Sequence, residues 1–116
     1  PQKPEHLNSG AAEEWGRIEQ VMRAAGLWSA SYQVTIELYC ETYANYRKAL
    51  AIVEKTGLAI VAGKDVKRNP FSVELHKYKE ETLRLLSELG LTPSSRSRIT
   101  LQDRENESDD FLKLLA

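Results

Sequence analysis

Between Tyr32 and Val53 the apolar side chains Tyr32, Ile36, Tyr39, Tyr43, Tyr46, Leu50 and Val53 recur at spacings of 4-3-4-3-4-3. Only an α-helix brings residues three and four apart onto one face, and a repeat this regular is a heptad seam built to pack against another helix. It predicts a long helix from about residue 31 to Lys55, capped by Ser29 or Ser31 and reaching about 40 Å. A second seam, Phe71, Leu75, Tyr78, Thr82, Leu85 and Leu89, follows with spacings of 4-3-4-3-4. Two such helices joined by a short connection predict an antiparallel helical hairpin. Gly57 closes the first, and Asn69-Pro70 supplies the cap and first turn of the second. Leu58 to Lys67 changes period: Leu58-Ala59-Ile60-Val61 is β-prone, Gly63-Lys64 can turn, and Asp65-Val66-Lys67 returns. This stretch reads as a short β-hairpin or structured loop.

A shorter helix precedes the hairpin. Trp15, Ile18, Met22 and Ala25 repeat at helical spacing from about Ser9, and Gly26 is a natural stop. The chain, at 116 residues and 41% hydrophobic, is one domain with a core that gains from burial between subunits. The seams also leave a surplus. Leu38, Cys40, Ala44 and Ala51 lie off the first seam, and Val73, Leu83 and Leu86 off the second. Of these, Leu38, Cys40, Ala44, Ala51, Leu83 and Leu86 are the candidate oligomer interface, and a four-helix dimer satisfies the pattern.

Catalysis finds little support in the residues. A phosphate-binding loop is absent, since Ala62-Gly63-Lys64-Asp65 lacks the required glycine spacing and hydroxyl. His6, Cys40 and His76 are singletons far apart, so no metal and no cofactor is expected. Cys40 among Tyr39, Tyr43 and Ala44 reads as a buried, inert thiol, and His76 with Glu80 as a solvated helical pair. The adjacent pairs Glu13-Glu14, Glu80-Glu81 and Asp109-Asp110 read as solvated faces, and the seam tyrosines as core with satisfied hydroxyls. One cysteine excludes an internal disulfide. No apolar run approaches the ~20 residues of a membrane span, and no signal peptide is visible, so a soluble intracellular protein is expected.

Net charge is −1, but its distribution is uneven. Residues 1–57 carry six basic and seven acidic side chains, residues 58–98 eight and five, and residues 99–116 two and five. Positive potential is thus concentrated in the second helix of the hairpin and its two flanks, ahead of an acidic tail.

The most distinctive string is Leu89-Gly90-Leu91-Thr92-Pro93-Ser94-Ser95-Arg96-Ser97-Arg98-Ile99, a helix stop joined directly to a helix start. Gly90 can end a helix left-handed with Leu91 folding back, while Thr92 and Pro93 open the next turn. Together with Pro4-Glu5-His6-Leu7, Trp15, Gly26-Leu27, Tyr39-Cys40-Glu41, Tyr43, Gly57 and Asn69-Pro70, it resembles the small terminase subunits of tailed bacteriophages. The resemblance covers residues 4 to 99 in order.

It implies a mainly α, non-enzymatic protein that forms a homo-oligomeric ring and binds viral double-stranded DNA. Such a ring would deliver that DNA to the large terminase subunit and stimulate it, in the cytoplasm of the infected host and outside the mature virion. The chain then divides into a flexible N-terminal arm (1–8), a helical oligomerisation and DNA-binding domain (9–99) and an acidic flexible tail (100–116). A helix-turn-helix centred on Ala24-Ala25-Gly26-Leu27 is disfavoured, because Ser31 to Tyr43 holds Glu37 and Glu41 and no cation. The candidate DNA-binding residues are therefore Lys64, Lys67 and Arg68 at the connection, Ser94, Ser95, Arg96 and Arg98 after the second seam, and Lys3 on the arm. Phe111, Leu112, Leu114 and Leu115 form a terminal apolar motif suited to docking the large subunit. The alternative is a helical interaction module without specific DNA recognition.

Overall fold

In the computed structural model, which describes residues 1–98 and 112–115, three long helices and one β-hairpin follow in chain order. Helix α1 spans Ser9–Ala24. A 3-10 turn at Ala30–Tyr32 leads into α2, Gln33–Thr56. Strands β1 (Ala59–Ala62) and β2 (Asp65–Arg68) pair antiparallel, and α3 runs Pro70–Glu88. Residues 93–98 add a final helical turn, and residues 112–115 another. Among the described residues no helix is long and apolar enough to cross a membrane.

Local chemistry sets these boundaries. Asn8 caps α1 by accepting the Ala11 N–H at 2.9 Å, and Asn69 caps α3 by accepting that of Phe71 at 3.0 Å. The stops of α1 and α3 are built alike. Gly26 (φ +72°) and Gly90 (φ +75°) take the left-handed turn. The following leucines, Leu27 and Leu91, donate back to the carbonyls of Met22 (2.8 Å) and Leu86 (3.0 Å) and tuck against the core.

The core lies at one end of the hairpin. Trp15, Ile18 and Met22 of α1, Ile36, Tyr39 and Cys40 of α2, and Leu85 and Leu89 of α3 bury into one cluster. Trp28 closes its edge, with its ring 5.7 Å from and nearly perpendicular to that of Trp15. The first residues are tied to α2. Gln2 and Gln33 exchange two hydrogen bonds, at 2.8 and 2.7 Å, and His6 lies 3.2 Å from Glu41. Beyond the reach of α1, α2 and α3 continue as a two-helix stalk that carries the β-hairpin at its tip.

Three sequence expectations are corrected here. Cys40 is fully buried (0% exposed) inside the protomer, and Ala44 is buried beneath α1, so neither offers a surface to a second copy. The small side chain of Ala44 serves the α1–α2 crossing, where a Cβ added to Gly10 would lie 3.6 Å from the Ala44 Cβ. Glu14, expected on a solvated face, is 5% exposed, accepting the Tyr39 hydroxyl (3.1 Å) and the Arg17 Nε–H (3.0 Å). The other interface candidates divide: Leu38, Ala51 and Leu83 are exposed, whereas Leu86 is half-buried against the core.

Candidate nucleic-acid interface

The β-hairpin begins where α2 ends. Gly57 (φ +83°) turns the chain out of the helix, and Asn69, itself buried, fastens the return. Its amide donates to Thr56 Oγ1 at 2.7 Å and to the Gly57 carbonyl at 2.8 Å, while its backbone N–H donates to the Leu58 carbonyl at 2.9 Å. One residue thus caps α3 and clasps it to the end of α2. The ribbon between the two helices is fixed at its base.

Register places Val61 opposite Val66 and Ala59 opposite Arg68 on one face, with Ile60 opposite Lys67 on the other. Gly63 (φ +65°) and Lys64 form the two-residue turn, with glycine at the first central position as a II′ hairpin requires. Lys64, Lys67 and Arg68 are all exposed, and every residue of β2 faces solvent.

The second candidate group lies at the other end of the stalk. Thr92 and Ser95 cap the 93–98 turn reciprocally. The Thr92 N–H donates to Ser95 Oγ at 3.1 Å, the Ser95 N–H donates to Thr92 Oγ1 at 3.3 Å, and the two hydroxyls lie 2.7 Å apart. Ser95 is 3% exposed and committed to this cap, which removes it from the ligand-facing candidates. Ser94, Arg96 and Arg98 are exposed, and Arg98 Nη2 donates to Ser87 Oγ of α3 at 3.3 Å. Lys3 is exposed at this same end, where its neighbour Gln2 meets Gln33 at the start of α2.

The two basic groups are therefore not one site. They lie beyond opposite ends of α2, whose 24 residues alone span about 36 Å. Their chemistry is nonetheless alike. Four helical cations pair on their own helices, Arg17 with Glu14, Arg23 with Glu19, Lys77 with Glu74 and Arg84 with Glu81, while Arg47, Lys48, Lys55 and Lys79 have no ion-pair partner among the described residues. Lys64, Lys67, Arg68 and Arg96 have no ion-pair partner among the described residues. The start of α2 is a poor rival as a groove reader. It presents Glu37, and the arm covers it through the Gln2–Gln33 and His6–Glu41 contacts.

Sequence reasoning missed two positioning residues. Asn69 was legible as a cap but not as the clasp at the base of the ribbon. Glu14 was signalled only by an arginine three residues on and a seam tyrosine in need of a hydroxyl partner. Of the terminal motif, Leu112, Leu114 and Leu115 are exposed on their helical turn, while Phe111 and residues 99–110 lie outside the described residues.

A family model described as phage terminase, small subunit, matches residues 11–106 of the chain. No curated protein and no solved structure matches it.

Proposed function

We propose that this chain, which belongs to the phage terminase small-subunit family and so serves phage DNA packaging, is a non-catalytic adaptor that grips the viral duplex at the cationic ends of its helical hairpin. It acts as a homo-oligomeric ring that hands double-stranded DNA to the large terminase subunit and stimulates it. Residues 9–99 supply assembly and DNA binding, and the 100–116 tail, through Phe111, Leu112, Leu114 and Leu115, docks the large subunit in the host cytoplasm.

The observation that supports the DNA reading is the segregation of charge. Arg17, Arg23, Lys77 and Arg84 pair with acids of their own helices, whereas Lys64, Lys67 and Arg68 crowd the exposed ribbon and Arg96 the far end with no ion-pair partner among the described residues. A polyanion gains most from such groups, because each phosphate contact releases a condensed counterion. Repetition around a ring multiplies a patch that is modest in one copy.

The experiment is duplex binding by fluorescence anisotropy across a salt series. Affinity should fall steeply with salt. The variants Lys64→Ala/Lys67→Ala/Arg68→Ala and Arg96→Ala/Arg98→Ala should each bind more weakly at unchanged oligomer mass. Unaltered affinity and salt slope in both variants would remove DNA from these ends and leave an interaction module.

A further inference from the structure

The solvent-facing side of the ribbon is built oddly for a surface. Val61 and Val66 oppose each other in a register fixed by the two-residue turn, and are 76% and 72% exposed. Arg68 lies two residues from Val66 on the same face, and Lys64 stands at the tip. On the opposite face Ile60 is half-buried, while its partner Lys67 is exposed. An apolar pair exposed on a ribbon with two open edges is a hazard unless something covers it. Charge indicates what does. Lys64, Lys67 and Arg68 fall within five residues, against the single acid Asp65.

Size agrees. Two strands about 4.8 Å apart form a ribbon that a major groove about 12 Å wide admits, and four residues at about 3.3 Å reach about 13 Å from the stalk. The base edges there include the thymine 5-methyl group, which takes apolar contacts, and guanine O6 and N7, which take an arginine. The start of α2 does not compete for the groove, because it presents Glu37 and is tied to the arm.

We infer that the β-ribbon is the groove-entering element: Val61 and Val66 pack on thymine methyl groups in the major groove of duplex DNA, Arg68 meets the adjoining base edge or phosphate, and Lys64 and Lys67 hold the flanking phosphates. This rests on the DNA-binding reading above and assigns it a mode. The Asn69 clasp fits that mode, since a ribbon held at its base enters a groove without first being ordered.

The test uses the full chain and a mixed-sequence 30-base-pair duplex made twice, once with thymidine and once with deoxyuridine at every thymidine position. That exchange deletes only the 5-methyl groups. The native protein should bind the deoxyuridine duplex about three- to tenfold more weakly, given the value of a buried methyl. Val61→Ala/Val66→Ala should weaken binding to the thymidine duplex by a similar factor and lose the distinction between duplexes. Its helicity and oligomer mass should stay unchanged, because both valines are exposed. Native protein that binds both duplexes equally, or a valine variant that still discriminates, overturns the mode while leaving DNA binding intact. A valine variant of reduced oligomer mass overturns it in favour of a contact between copies. Absence of binding to either duplex overturns the DNA reading and this mode together.

Discussion

Glu14 holds a carboxylate inside the α1–α2 contact with two partners, the Tyr39 hydroxyl and the Arg17 guanidinium. Arg17 also donates to the Tyr39 oxygen at 3.1 Å, closing a triangle. Burial and the nearby carboxylate push the Tyr39 hydroxyl well above its usual range, so it stays protonated and donating. Tyr39→Phe should cost about 1.5–3 kcal/mol, the worth of a hydrogen bond to a charged group, read as a lower urea midpoint at unchanged slope. Cys40, beside it, is pushed up to about 12, chiefly by burial. Both groups hold their protons more tightly folded than unfolded. The unfolded chain therefore deprotonates first, and the stability these groups contribute is whole below about pH 9 and is lost progressively towards pH 12. A thiol reagent at pH 8 should label Cys40 only after denaturation, and rapid labelling of the native protein would contradict its burial. Cysteine burial was legible among its aromatic neighbours. The fate of Glu14 was not, because adjacent glutamates look alike in sequence and only the helix phase separates Glu13 from Glu14.

Elements were legible wherever a period or a stop residue spoke for them. Heptad spacing marked α2 and α3, the Gly-Leu pairs marked two helix ends, and a change of period marked the ribbon. What a period cannot say is which small residues serve a contact inside the protomer. Ala44 looked like a surface for a second copy, yet α1 crosses over it near Gly10. Nor does it reveal that the Asn69 side chain reaches back across the connection. Asn69→Ala removes a cap and two clasp bonds, and should cost about 1–2 kcal/mol. Hydrogen exchange of the 59–68 amides should quicken more than that of the α1 amides. Equal acceleration throughout would mean that the clasp supports only global stability.

At the scale of the whole molecule, the extents of 77 × 30 × 18 Å describe a rod with its core at one end. Leu38 and Leu83 remain exposed on it, as the surplus of apolar positions anticipated, and with Ala51 they are the interface candidates that folding leaves open. Leu38→Asp/Leu83→Asp should lower the mass measured by light scattering while circular dichroism keeps its helical signal. A variant of unchanged mass would place assembly on other surfaces. The distance between the basic ends was invisible in sequence, where the connection and the Arg96–Arg98 turn both simply flank one helix. In space the rod is a ruler. Helix α2 alone spans about 36 Å, one helical repeat of B-DNA, and the ribbon reaches about 13 Å beyond it. A straight duplex laid along the rod would meet both ends, whereas one laid across it would meet a single end. Inserting one extra turn into both α2 and α3 would lengthen the gauge by about 5.4 Å, about a sixth of a helical repeat. Whether protection along the duplex repeats every ten or so base pairs then becomes a measurement of orientation.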